Sequence, residues 1–368
     1  MLNLSSKVTP SGELSLESPL ANPRAGSSST RLVLRVVSIA AILLIVSVAI
    51  FNIISDRNHL VPLLQIEVTN TSMTQMPNGE FAFTVIVKNI GVTTTALNGY
   101  VGGAYATWLT FFPNPIGPGQ SATGTAMTSS HVVSFAGSSG DVLVPNSSSL
   151  TSASMTIEMS FKYNAYAPDQ QMIVSKGSAG GNSFYFYTFR SVNNVNDFVV
   201  YDNGTRYDQQ LGNIFAPGAW YTVDFTIDGQ YIAAYVDGAI VQSWPRPFTF
   251  GGNNDDIILG RCSCGGYNFN GSIAFLRLFD KALSAQEIRQ NFLLADPATQ
   301  NLTLSLALND TVNNTIGDLS GNGNNGVVEG PVTFVPQFAP CDLYSANIVA
   351  KAESGQTYTL SQVVQPKC

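Results

Sequence analysis

The spacing of apolar residues changes character along this chain. Residues 1–30 are rich in Ser and Pro and show no hydrophobic period, which predicts a disordered tail. Val36–Ile54 (VVSIAAILLIVSVAIFNII) carries no charge and is apolar on every side of a helical wheel. As a helix it spans roughly 28 Å, the thickness of a bilayer core. A helix buried in a soluble core would be amphipathic instead, so residues 31–55 are predicted to form a membrane helix. From Leu64 the period drops to two. Leu64, Ile66 and Val68 alternate with polar residues, Pro77-Asn78-Gly79 marks a turn, and Phe81–Val87 is a β-prone run. Residues 61–129 therefore read as a small β-sandwich, a stalk for a larger domain beyond it. Residues 130–335 continue as strands of five to eight residues between Gly, Asp and Asn turns, a pattern for two sheets packed face to face. Asp237-Gly238 has the chemistry of a two-residue hairpin turn. Ser284 with Glu287 three residues on predicts the start of a short helix.

The flanks of the apolar run give it a direction. Lys7, Arg24, Arg31 and Arg35 precede it, while Asp56, Arg57 and His59 come after it. The basic excess keeps the N-terminus in the cytoplasm and puts the C-terminal domains outside the cell. A cleaved signal peptide would have a shorter apolar core and a small-residue site, and Ile54-Ser55-Asp56 is a poor one. A pilin-like subunit shares the layout of basic tail, hydrophobic helix and β-rich head. Its processing site would abut the apolar stretch, whereas Arg24-Ala25-Gly26 is separated from it.

Two resemblances refine the exterior part. Val87-Lys88-Asn89-Ile90-Gly91 and Pro118-Gly119-Gln120-Ser121 resemble turns of small Ig-like surface domains. An ordered series is more specific: Ser154–Phe161, Ile173–Gly177, Trp220–Gly229, Tyr235–Gly238, Ile257–Gly260, Phe269–Phe279 and Lys281–Ile288. It resembles the laminin-G-like, concanavalin A-like jelly-roll family over residues 130–335. Leu304–Leu308 and Asp318–Gly326 resemble that family's opening strand and first loop, displaced to a position after the helix. With 73 residues left after Ala295, too few for another roll, they are expected to close the same sandwich. The fold class is thus all-β: a concanavalin A-like jelly roll preceded by an Ig-like sandwich and a transmembrane helix, with residues 336–368 a Cys-bounded extension.

Charge narrows the partners. Seventeen scattered basic residues against 24 acidic ones give a net charge of -7, which excludes nucleic acid. Four cysteines allow three pairings: Cys341–Cys368 would close a C-terminal loop, and Cys262–Cys264 would join near neighbours across a demanding one-residue gap. Their spacing does not fit zinc. Asp318, Asn322 and Asn324 lie in a Gly/Asn loop that could aim oxygens at a calcium ion. The resemblance implies such a ligand, yet Ala274 stands where relatives often place an acid. The competing reading is a tight turn capped by Asp318. Tyr201, Tyr207 and Trp244 are candidate sugar-contacting aromatics. The paired carboxylates of jelly-roll glycosidases are missing, since Glu158 stands alone on its run, and the exterior histidines are only His59 and His131. Sequons at Asn70, Asn146, Asn203, Asn270, Asn301, Asn309 and Asn313 predict N-glycosylation on the outer side. Together these features predict a non-enzymatic cell-membrane protein, anchored in the lipid bilayer through residues 36–54, that binds a glycan or a cell-surface protein, with Ca2+ as a candidate cofactor. The alternative is a structural component, either a filament subunit or an envelope protein; a polysaccharide hydrolase is a lesser one.

Overall fold

A computed structural model describes residues 64–366 apart from 77–80, 103–105, 129–130, 167–169, 178–185, 246–252, 295–298 and 340–341. The tail 1–30, the apolar run Val36–Ile54, Cys341 and Cys368 lie outside the described residues. Among the described residues no helix is long and apolar enough to cross a membrane.

In chain order the strands are β1 (Ile66–Gln75), β2 (Phe81–Asn89), β3 (Thr95–Gly102), β4 (Ala106–Trp108), β5 (Thr110–Phe112), β6 (Ser121–Thr128), β7 (His131–Ala136) and β8 (Asp141–Val144). Next come β9 (Met155–Tyr163), β10 (Gln170–Lys176), β11 (Phe186–Val192), β12 (Val195–Asp202), β13 (Thr205–Gly212), β14 (Trp220–Ile227), β15 (Tyr231–Val236), β16 (Ala239–Pro245), β17 (Ile257–Leu259) and β18 (Asn270–Phe279). Helix α1 (Ala285–Leu294) intervenes before β19 (Leu302–Ala307), β20 (Thr315–Ile316), β21 (Gly326–Glu329), β22 (Val332–Pro336), β23 (Tyr344–Ala352) and β24 (Thr357–Val364).

Period-two patterning builds the small sandwich. In β2, Phe81, Phe83, Val85 and Val87 turn inward and alternate with half-buried residues. In β23, Tyr344, Ala346, Ile348 and Ala350 do the same. One sheet has the order β1-β2-β6-β5 and the other β24-β23-β3-β4. Residues 336–368, which the sequence marks only as a Cys-bounded extension, thus supply half of the second sheet. The sandwich is completed from both ends of the described chain, with the jelly roll between. Gly99 permits this closure, because a Cβ there would lie 2.5 Å from the carbonyl oxygen of Asn347 on β23.

The jelly roll has two eight-stranded sheets. One, the open sheet, runs β13-β12-β11-β10-β17-β8-β21-β20. The other, the covered sheet, runs β16-β15-β14-β9-β18-β7-β22, with β19 beside β18. Residues after the helix therefore close the same sandwich, as the displaced strand and loop predict: β21 pairs with β8, and β22 with β7. Between the sheets Phe198 stacks on Phe225 at 4.1 Å, and Phe161 meets Phe189 and Phe215 edge-on at 5.4 and 5.3 Å. The hairpin turn has Asp237 and Gly238 at φ of 51° and 74°, as its type requires.

Every residue of β9 is buried. Ile157, Met159, Phe161 and Tyr163 enter the jelly-roll core, while Thr156, Glu158, Ser160 and Lys162 point to the other face, where α1 and the small sandwich cover them. Val132, Trp220, Ala274 and Phe275 of the jelly roll join the hydrophobic core of the small sandwich. Pro62–Cys368 accordingly form one compact unit.

Candidate functional site

Along β9 the covered sheet's outer face is buried, whereas the open sheet carries a row of charged side chains on the outer face of its β11–β13 edge. Phe189, Phe198 and Val200 point into the core. Alternation therefore sends Arg190, Asp197, Val199 and Tyr201 outward, and the register sets Asp208 opposite Val199 and Arg206 opposite Tyr201. Arg190 grips Asp197 through two parallel bonds, Nε to Oδ1 at 2.9 Å and Nη2 to Oδ2 at 3.0 Å. Asp208 lies 3.9 Å from Arg190 and 2.7 Å from Arg206, which also interacts with Tyr201. Exposure rises along the row, from side-chain values of 9% at Asp197 to 44% at Arg206. The result is a charge-balanced ladder of fixed donors and acceptors beside a phenol ring, suited to a neutral polyhydroxyl ligand.

The sequence's three aromatic candidates do not share this face. Tyr201 does, but Tyr207 pairs with the core residue Val200 and Trp244 with the core residue Ile232, so both lean inward. Trp244 packs against the jelly-roll core. The ladder itself escaped sequence reading, because its members belong to three strands and meet only through register. Oppositely charged pairs two residues apart, such as Arg206 and Asp208, were its one local trace.

The Asp318 loop is internally saturated. Asp318 Oδ1 accepts from the backbone N–H groups of Ser305 and Ser320, both at 2.9 Å. Its Oδ2 accepts from Ser320 Oγ at 2.7 Å and the N–H of Asn324 at 3.0 Å. Four bonds fill the lone-pair sites of a carboxylate. Asn322 donates to the carbonyls of Leu302 and Thr303, and Asn324 donates to Ser149 and Thr303 while accepting from Ser147. These side chains fasten the loop to β19 and to the 147–150 segment, the behaviour of a capped turn. Among the described residues no group of three or more His, Cys, Asp or Glu could hold a metal ion. Ala274, where relatives often carry an acid, is a buried bulge residue in the seam with the small sandwich.

Two further polar clusters went unread. Lys176, 3% exposed, donates to Asn146 Oδ1 at 2.8 Å and to the Asp255 carbonyl at 2.6 Å. Burial depresses its ammonium to about 8, against the opposing pull of Asp255 and Asp256. On the covered sheet, Asp224, Glu158 and Arg277 stand side by side across β14, β9 and β18. Arg277 Nη1 is 3.4 Å from both Glu158 oxygens, whereas neither Asp224 oxygen has a hydrogen-bond partner. Burial raises the pKa of both carboxyls, and the neighbouring Glu158 raises Asp224 further. This is the paired-carboxylate chemistry that hydrolysis would need, but Glu158 and Asp224 are 1% and 0% exposed, out of a substrate's reach.

Cys262 and Cys264 form a disulfide with a Cα–Cα distance of 5.1 Å. Among the sequons Asn70, Asn203, Asn301, Asn309 and Asn313 are exposed, while Asn146 and Asn270 are half-buried and hydrogen-bonded.

Residues 136–289 match the family described as the concanavalin A-like lectin/glucanases superfamily, so the laminin-G-like resemblance stands over that stretch. No curated protein matches the chain. Among solved structures, a Bacteroides ovatus protein proposed to bind carbohydrate is 15% identical, with 71% of this chain and 93% of that one covered at a TM-score of 0.46. The heptameric SAP-like pentraxin of Limulus polyphemus is 12% identical, with 56% and 95% covered at 0.39. The fourth domain of an extracellular arabinanase from Geobacillus stearothermophilus, in complex with arabinotriose, is 17% identical, with 53% and 87% covered at 0.35.

Proposed function

We propose that this chain is a surface-displayed module that binds a neutral glycan on the outer face of the open sheet. The observation that carries the reading is the ladder Arg190–Asp197–Asp208–Arg206 with Tyr201 beside it. Its guanidinium and carboxylate groups are held by one another, so a ligand meets donors and acceptors already ordered and little side-chain entropy is lost on binding. Internal charge neutrality favours hydroxyl groups over a strongly ionic ligand. Tyr201 offers an amphipathic ring of the kind sugar faces stack on. The match of residues 136–289 to a lectin and glucanase superfamily supports a carbohydrate as partner.

Within that superfamily the binding branch is favoured over the hydrolytic one. The pair of carboxyls set side by side is sealed beneath α1 and the small sandwich, and the ladder's acids are each tied to an arginine. Anchorage fits the same picture: residues 36–54 hold the chain in a bilayer with the exterior residues facing outward, and the exposed sequons carry glycans. The saturated bonding of Asp318 favours binding that needs no calcium.

The test is a glycan array probed with the full chain in detergent, with and without a calcium chelator, and then assay of any bound polysaccharide for new reducing ends. Retention of one neutral glycan class, undiminished by chelation and uncleaved, is the expected result. Failure to retain any glycan contradicts the reading, and release of reducing ends moves it to hydrolysis.

A further inference from the structure

The disulfide between Cys262 and Cys264 is poorly explained as a stabilising staple. A cross-link stabilises chiefly by removing freedom from the unfolded chain, and this one closes a loop with a single residue between its ends, where that effect is smallest. Nor does the folded loop need it. Cys262 N–H donates to the Gly266 carbonyl, and Gly265 N–H to the Cys262 carbonyl, both at 3.0 Å. Ser175 Oγ donates to the Arg261 carbonyl and accepts from Ser263 N–H, both at 3.3 Å. Arg261 is anchored 2.7 Å from Asp141. Glycines 265 and 266 sit at φ of 76° and 104° with open space around them. The segment is thus held at both ends and within itself by bonds that do not involve sulfur bonding.

Its two sulfurs differ in access. Cys264 is exposed, while Cys262 is 3% exposed. The N–H of Cys264 points at Cys262 Sγ from 3.0 Å, where it would stabilise negative charge on that sulfur. An accessible sulfur to attack, paired with a buried sulfur provided with a donor as leaving group, is the layout of thiol–disulfide exchange.

We propose that Cys262–Cys264 is a thiol-exchange site that accepts two electrons from an external dithiol, a property separate from glycan binding. A thiolate of the dithiol attacks Cys264 Sγ, forming a mixed disulfide as the Cys264–Cys262 bond breaks. The electron pair leaves on Cys262 Sγ, facing the Cys264 N–H. The reductant's second thiolate then displaces Cys264 and closes the reductant's own disulfide. Both protein thiolates take up the protons that the dithiol released, so one disulfide is exchanged for another.

The experiment uses the full chain in detergent, incubated with dithiothreitol without denaturant, quenched in acid, alkylated and mapped by peptide mass spectrometry. The expected result is alkylation of the 262 and 264 positions with the thermal midpoint unmoved by more than about 2 °C. Retention of the bond under native conditions, or alkylation only alongside loss of the folded transition, overturns the proposal. Two variants remove the bond equally but leave different thiols. Cys262→Ser, which keeps exposed Cys264, should form a mixed disulfide with oxidised glutathione at least about tenfold faster than Cys264→Ser. Equal rates, or the reverse order, overturn the assignment of the attacked sulfur.

Discussion

Asp224 shows how a single residue can be forced into an unusual state by what lies above it. Its neighbours on the sheet are Glu158 and, beyond that, Arg277; Asp237 acts from the adjacent hairpin, and Tyr235 flanks it on β15. Asn291 of α1 reaches Glu158 from above. Burial raises the pKa of Asp224, Glu158 and Asp237, the last to about 6. Their folded values exceed those of the unfolded chain, so the native state holds these protons more tightly. The stability these three groups contribute should be fullest below about pH 4 and decline as pH rises through the folded values, near 6 for Asp237. Melting curves between about pH 4.5 and 7.5 should show the midpoint falling, and Asp224→Asn should flatten that fall. A parallel profile in the variant would refute the assignment. None of this was legible in sequence, where Glu158 looked like a lone acid on its run. Its partners sit 66 and 119 residues away in the chain, joined to it by register alone.

Elements with local causes were legible. The capping box is present as spelled: Ser284 N–H donates to Glu287 at 2.8 Å, and Glu287 N–H donates to Ser284 Oγ at 3.3 Å. Bonds from Lys281 and then Ser284 hold the Glu287 carboxyl down at about 2. Ser284→Ala should cost about 1 kcal/mol, read as a midpoint drop of a few degrees. Gly99→Ala should cost more, since its new Cβ meets the backbone of β23 rather than a movable side chain. A smaller loss for Gly99→Ala than for Ser284→Ala would show that β3 and β23 can yield. That β23 belongs beside β3 could not be read from the chain, because β23 and β24 have only an ordinary strand pattern and their partner lies some 250 residues earlier. The Asp318 loop was half legible: its Gly/Asn chemistry announced a turn, but which atoms Asp318 would bind depended on β19 arriving beside it.

For the whole molecule, the decisive feature is the shared seam. Trp220, Ala274 and Phe275 are buried in the core of the small sandwich, and Lys162 pairs with Asp342 across the junction. The two sandwiches should therefore unfold together, as one calorimetric transition over Pro62–Cys368. Two separated transitions would mean that the seam contributes little. The same seam buries the outer face of β9, and the proposed ligand surface is the outer face of the open sheet.

That face decides the account. Isothermal titration of the glycan retained by the array should give affinity weakened at least about tenfold by either Tyr201→Ala or Arg206→Ala. Ser284→Ala, on the covered side, should bind as the native chain does. Unchanged affinity in both open-sheet variants would contradict the claim that this surface holds the ligand.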